Sequence, residues 1–165
     1  MPSGEIVEIK IKPYLKEYFT NMYGSEPIQA TTANKLFPFL LQYLTHRPSG
    51  WKPPESKKDN LLFELPYSEH VNVRSLNYIS PKHFPEIRSF LYGKFWGDFI
   101  SYMNQKVFKK RWQQKAAIIH FMLDNDMSWD KVDYETLKKI YYRYLYDNGK
   151  KKKNAKKVDQ FSGTN

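Results

Sequence analysis

Cationic side chains that could neutralise phosphate groups are concentrated in the last third of the 165-residue chain. Residues 104–157 contain 15 lysines and arginines against 6 aspartates and glutamates, whereas residues 1–103 contain 12 against 10. Such asymmetry is typical of a chain that binds a polyanion at one end. The predicted partner is therefore nucleic acid. The alternative is a solubilising surface that ends in a disordered lysine tail.

Residues 134–146 have the pattern of a helix with two different faces. The apolar face, which should point towards the core, consists of Leu137, Ile140, Tyr141, Tyr144 and Leu145. The opposite face combines cations with aromatic rings and consists of Lys138, Lys139, Tyr142, Arg143 and Tyr146. Cations neutralise phosphates, and tyrosines hydrogen-bond to phosphates or stack on bases. The outer face is therefore predicted to contact nucleic acid.

Two runs of consecutive cations extend the predicted binding surface. The first consists of Lys109, Lys110 and Arg111, and the second consists of Lys150, Lys151, Lys152 and Lys153. The second run follows Asn148 and Gly149, where the last helix is expected to stop. Residues 150–165 are accordingly predicted to form a flexible basic tail.

A second helical segment, residues 108–124, precedes the last helix and is separated from it by residues 125–133. Two helices in this order could form a helix-turn-helix, whose second helix enters the major groove of DNA. The alternative is an amphipathic bundle helix with an ordinary solvated face.

The connection between these two segments has the residue spacing of a calcium-binding loop. Loop positions 1, 3, 5, 7 and 12 are Asp124, Asp126, Ser128, Asp130 and Glu135. Position 6, where the turn requires glycine, is Trp129, and position 8, which is normally apolar, is Lys131. We therefore predict no calcium site, and we expect Asp130 or Asp133 to cap the last helix.

Signals of enzymatic chemistry are sparse. The chain has no cysteine, which excludes thiol catalysis, disulfides and cysteine-ligated metals. Its four histidines lack metal-binding spacing, and His120 is expected to pack within a helix. Asp124 and Asp126 could hold magnesium in a nuclease, a distant alternative without a second acidic motif. No catalytic residue, metal site or cofactor is predicted.

The predicted fold class is α+β, mostly helical. Residues 1–79 should contain a small sheet with covering helices, built from strands at 5–12, 61–65 and 71–79 and from helices after Pro13 and around Pro38. Residues 80–149 should form a helical part that packs with the first as one compact unit, followed by the tail at 150–165. The role of the proline-rich loop at 46–60, which contains Trp51, is left open.

No apolar run approaches the roughly 18 residues that a membrane span needs. The N-terminal residues are charged where a secretory signal would be apolar. A cytoplasmic protein without a membrane partner is expected.

Residues 115–149 resemble the C-terminal part of small, basic, mostly uncharacterised proteins of gut-bacterial phages and mobile elements. The resemblance lies in residues 116–121, 129–133, 137–139 and 142–144, and it spans about a fifth of the chain. It implies nucleic acid or a phage assembly as the partner.

The predicted function is therefore that of a non-enzymatic accessory protein of a phage or mobile element that binds nucleic acid, with DNA favoured over RNA. The alternative is a structural or adaptor protein of such an assembly, whose aromatic surface binds protein without specific nucleic-acid readout.

Overall fold

The computed structural model describes residues 6–24, 26–50, 52, 60–65 and 75–161, with residues 150–161 as backbone only. The chain divides into two compact units. The first comprises Met1–Phe95 and Asn125–Met127, and the second comprises Trp96–Asp124 and Ser128–Asn165. The sequence-based division followed residue 79, whereas this one falls inside a long helix. Helices predominate over a few short strands, which confirms the α+β class.

Among the described residues, five short strands form two sheets in the first unit. They are β1 (Ile6–Lys10), β2 (Ile28–Gln29), β3 (Leu44–His46), β4 (Asn60–Glu64) and β5 (Leu76–Ile79). In the three-stranded sheet, β4 lies between β1, to which it is antiparallel, and β2, to which it is parallel. β3 and β5 form a separate antiparallel pair. The prediction that both later strands join the N-terminal strand is thus right for β4 and wrong for β5.

The first helix, α1 (Pro13–Tyr23), is the one that the sequence predicts after Pro13. Pro13 occupies the first turn, where a missing N–H costs nothing. Gly24 ends the helix in the left-handed region, with φ of 73°, and its N–H donates to the Thr20 carbonyl at 2.8 Å. This is a glycine C-cap of the ordinary kind.

The second helix, α2 (Leu36–Leu41), is the one predicted around Pro38, which lies in its first turn. Its start is fixed by Asn34, whose side-chain oxygen accepts hydrogen bonds from the N–H groups of Thr31 and Leu36 at 3.0 and 3.1 Å. The Asn34 N–H in turn donates to Thr31 Oγ1 at 3.2 Å. Trp51 and residues 71–74 of the predicted strand lie outside the described residues.

The third helix, α3 (Phe84–Asn104), follows a 3-10 turn at Pro81–His83 and contributes to both units. In the first unit Phe95 packs against Tyr14 and Tyr18 of α1, with ring centroids 5.5 and 5.0 Å apart. Burial raises the pKa of Tyr14 to about 12. Aromatic packing of this kind supplies much of the apolar burial of a small unit.

The segment after α3 differs from the predicted helix at 108–124. A π-helical turn at Gln105–Lys109 ends α3, and α4 begins only at Gln114 and runs to Asp124. The N–H of Trp112 donates to the Lys106 carbonyl at 3.0 Å, and Arg111 adopts a left-handed conformation with φ of 59°. A non-glycine residue in this region interrupts a helix, so the chain turns between Lys110 and Gln113.

The last helix, α5 (Tyr134–Phe161), is longer than predicted. The expected stop at Asn148 and Gly149 is wrong, because the helical backbone continues through both residues and through the lysine run. Glycine permits the left-handed cap but does not impose it, and the lysines that follow have good helix propensity. Residues 150–161 are therefore helix in place of the predicted tail, and the four terminal residues lie outside the described part.

The core of the second unit is aromatic. Phe99 of α3 packs edge-on against Phe121 of α4 and Tyr141 of α5, with ring centroids 4.9 and 6.5 Å apart. Across the described residues, no helix is both long and apolar enough to cross a membrane.

Candidate nucleic-acid interface

The start of α5 is fixed by a side-chain cap. The Asp133 carboxylate accepts a hydrogen bond from the Thr136 N–H at 2.6 Å, which confirms the predicted N-cap. Hydrogen bonds from Thr136 keep the pKa of the Asp133 carboxyl below its ordinary value. The charged cap also complements the positive end of the helix dipole, so the register of the helix is set from its first turn.

The inner face of α5 is the predicted one. Leu137 and Tyr141 are 0% and 1% exposed. Tyr144 is half-buried, stacks on Tyr141 at 6.1 Å and meets the Trp96 ring edge-on at 5.8 Å. Its hydroxyl also accepts a hydrogen bond from the Asn104 side-chain amide at 2.8 Å. These contacts to α3 determine which side of α5 points outward.

The outer face of α5 carries two cations and two aromatic rings in one row. Lys139, Tyr142, Arg143 and Tyr146 are all exposed, and Tyr142 and Tyr146 are 49% and 62% exposed. Their spacing of three, four and seven residues places them on a single stripe of the helix surface. Among the described residues, neither Lys139 nor Arg143 forms an ion pair.

Lys138, also predicted to face outward, is in a different environment. It is half-buried, and its Nζ lies 3.2 Å from the Glu135 carboxylate. The same Nζ lies 5.6 Å from the ring centroid of Tyr134 and 5.9 Å from that of Tyr142. The Glu135 carboxylate raises the pKa of Lys138 above its ordinary value. Because the Glu135 carboxylate already compensates its charge, Lys138 is less available to a further anion than Lys139 or Arg143.

The remaining predicted cations of this region belong to the same helix. The backbone of α5 continues through Lys150, Lys151, Lys152 and Lys153. At 3.6 residues per turn, positions 150 and 153 follow Tyr146 in the row that begins at position 139.

The other predicted cluster lies on a separate element. Lys109, Lys110 and Arg111 are exposed on the link between the π-helical turn and α4. The structure therefore groups the predicted residues into two sets, one on α5 and one on this link.

Five side chains next to this link contact one another, and we call them the α3–α4 network. Its members are Tyr102, Lys106, Trp112, His120 and Asp124. The Tyr102 hydroxyl donates to Asp124 Oδ2 at 2.7 Å, and His120 Nδ1 lies 3.4 Å from Asp124 Oδ1. Lys106 Nζ lies 4.9 Å from the ring centroid of Tyr102 and 4.4 Å from that of Trp112, whose ring meets His120 edge-on at 4.9 Å.

Electrostatics in the α3–α4 network favour an ionised Asp124 and a neutral Tyr102. The hydrogen bond from Tyr102 lowers the pKa of the Asp124 carboxyl, with smaller contributions from His120 and Lys106. Burial, followed by the bond to Asp124, raises the pKa of Tyr102 above its ordinary value.

The sequence does not predict this network. His120 is expected to pack within a helix, whereas its side chain is 49% exposed and contacts Asp124. The four-residue spacing of Tyr102 from Lys106, and of His120 from Asp124, is compatible with contact along a helix. No sequence signal links one pair to the other.

The acidic side chains near the α4–α5 connection do not converge on a metal position. Within the described residues there is no group of three or more histidine, aspartate or glutamate side chains that could hold a metal ion. The Asp124 carboxylate is instead occupied by Tyr102 and His120.

Comparisons of the chain with family profiles, with curated proteins and with solved structures found no match. The resemblance of residues 115–149 to phage and mobile-element proteins therefore stays a prediction.

Proposed function

We propose that this chain binds nucleic acid without catalysing a reaction, and that the outer face of α5 provides the principal contacts. The observation that carries the proposal is the single exposed row of Lys139, Tyr142, Arg143 and Tyr146. Cations neutralise backbone phosphates, and the aromatic side chains between them can hydrogen-bond to phosphates or stack on bases. DNA is the first candidate.

The charge of the second unit supports a polyanionic partner. This unit contains 15 lysines and arginines against 7 aspartates and glutamates, whereas the first contains 12 against 10. The exposed cluster of Lys109, Lys110 and Arg111 adds to this charge. A field of one sign accelerates encounter with a polyanion and makes binding sensitive to salt.

The proposal requires phosphate contacts from a helix face and does not depend on a helix-turn-helix. The connection between α4 and α5 spans nine residues, 125–133, whereas that motif joins its helices by about three or four. Insertion of α5 into the major groove stays a prediction. The association with a phage or mobile element rests on the resemblance of residues 115–149 alone.

The decisive experiment removes the two unpaired cations of the row. We expect the full-length double variant Lys139→Ala/Arg143→Ala to keep its melting temperature and to bind duplex DNA more weakly. If each cation contacts one phosphate, the slope of log affinity against log salt should become shallower by about 1.8, because each contact contributes about 0.9.

The matched control is Lys82→Ala/Arg88→Ala, which removes the same charges from exposed positions of the first unit. It should change the salt slope far less. The proposal is wrong if both double variants bind DNA with the same affinity and slope.

An adaptor role is the second candidate, favoured by exposed apolar side chains in the same unit. Phe108, Leu123 and Trp129 are each more than half exposed, and exposed apolar groups that cluster can mark protein interfaces. A wild-type protein that forms a defined oligomer in sedimentation and shows no salt-dependent binding of nucleic acid would favour this function.

A further inference from the structure

The outer face of α5 exposes two aromatic side chains, those of Tyr142 and Tyr146, in addition to charge. Three other tyrosines of the same helix, Tyr134, Tyr141 and Tyr144, are buried or half-buried, whereas Tyr142 and Tyr146 are about half exposed or more. Lys138 Nζ lies against the Tyr142 ring at 5.9 Å from its centroid, which is a cation–π distance that helps to hold the ring in place.

The positions of Tyr142 and Tyr146 along the helix suit unpaired bases better than a duplex. Tyr142 and Tyr146 are four residues apart, so they are separated by about 6 Å along the helix axis. Stacked bases in a duplex are about 3.4 Å apart and cover each other's faces, so that a protein reaches mainly their edges in the grooves. A base can therefore stack fully on a tyrosine ring only after it has left the duplex stack.

We infer that the outer face of α5 binds single-stranded nucleic acid, with unpaired bases stacked on Tyr142 and Tyr146 and with backbone phosphates bound by Lys139 and Arg143. This inference rests on the proposed function and names its substrate class. Aromatic rings interleaved with cations along one row are the combination that single-strand-binding surfaces use, because stacking tolerates any base while the cations follow the backbone.

The test measures the anisotropy of labelled strands bound to the full-length protein at fixed salt. The probes are oligo-dT, oligo-rU, a base-free deoxyribose-phosphate strand and a DNA duplex, each of about 16 nucleotides per strand. Wild type should bind at least one of the base-containing single strands more tightly than the base-free strand and the duplex. Comparison of oligo-dT with oligo-rU identifies the preferred sugar.

Substitutions then separate the ring from the hydroxyl. Tyr142→Leu and Tyr146→Leu should each weaken binding of the preferred single strand by about 5- to 140-fold and leave binding of the base-free strand unchanged. Tyr142→Phe and Tyr146→Phe, which keep the ring, should bind nearly as wild type does. The salt slope should be the same for all four variants, because no cation is removed.

The inference is overturned if wild type binds the base-containing strands no better than the base-free strand or the duplex. It is also overturned if the leucine variants bind as wild type does, or if the phenylalanine variants lose as much affinity as the leucine variants. Lys139→Ala/Arg143→Ala distinguishes this failure from failure of the proposed function. If that variant weakens binding of every probe while the leucine variants bind normally, nucleic-acid binding stands without stacking, whereas a wild type that binds no probe refutes both.

Discussion

Tyr102→Phe tests whether the α3–α4 network holds the base of the cationic link at 109–111. The substitution removes the hydrogen bond to Asp124 and keeps the ring that packs edge-on against Phe121 at 5.3 Å. It also keeps the ring that lies 4.9 Å from Lys106 Nζ. Any loss of stability can therefore be assigned to one hydroxyl group.

The expected loss follows from the geometry of this bond. Its length of 2.7 Å and its ionised acceptor are those of a charge-assisted hydrogen bond, which contributes about 1.5–3 kcal/mol. The Asp124 side chain is 47% exposed, so water can replace the lost donor and no buried charge is left unpaired. We therefore expect a loss of about 1 kcal/mol, or about 2–4 °C in melting temperature for a chain of this length.

The loss should depend on pH in a defined direction. Folding lowers the pKa of Asp124, chiefly through the Tyr102 hydroxyl. A carboxyl group of this kind contributes stability above its unfolded-state pKa and loses that contribution as the pH falls through its folded-state pKa. The difference between wild type and Tyr102→Phe should be complete at pH 7 and should shrink below about pH 4.

Urea unfolding at pH 7, 5 and 3 measures this difference. Tryptophan fluorescence is a suitable signal, because Trp96, Trp112 and Trp129 all belong to the second unit. The control is Tyr142→Phe, which removes a hydroxyl from an exposed ring and should not alter stability. A loss no larger than that of the control, or an equal loss at pH 7 and pH 3, would refute the role assigned to the bond.

Three further predictions concern stability and can be checked by thermal or urea unfolding. Tyr141→Ala should lower the free energy of unfolding by about 3–5 kcal/mol, because the ring is 1% exposed. Tyr141→Phe should change it by less than about 0.5 kcal/mol, because the buried hydroxyl has no hydrogen-bond partner among the described residues. Asp133→Ala should lower the melting temperature at pH 7, because it removes the α5 cap. The difference from wild type should shrink at acidic pH, where the wild-type carboxyl is protonated, and the control Asp130→Ala should have little effect. Gly24→Ala should cost about 1–2 kcal/mol because φ of 73° is strained for any residue with a side chain.

The elements that the sequence predicts well are those whose boundaries depend on local chemistry. The ends of α1 follow from Pro13 and Gly24, which act through their own backbone preferences. The buried and exposed faces of α5 follow from a repeat of 3.6 residues. The start of α5 likewise follows from Asp133, which binds a backbone group three residues away.

The elements that were missed depend on contacts between distant parts of the chain. β2 has only two residues and β3 has three, so neither carries a periodic pattern, and each is defined by a partner strand at least 30 residues away. The α3–α4 network joins Tyr102 to Asp124 across 22 residues for the same reason. The helix end predicted at Gly149 is wrong, because glycine permits a helix cap without requiring one and the lysines that follow have good helix propensity.

The candidate binding surface on α5 is set by the packing on its opposite side. Tyr141 and Tyr144 pack against Phe99, Trp96 and the Asn104 amide. These contacts fix the orientation of α5 about its own axis. A change of one residue in register would turn the helix by about 100°, and in one direction it would bring Arg143 of the outer row to the buried position of Tyr144. Desolvation of that charge would be costly, so the aromatic core of the second unit both stabilises α5 and orients its cationic row towards solvent.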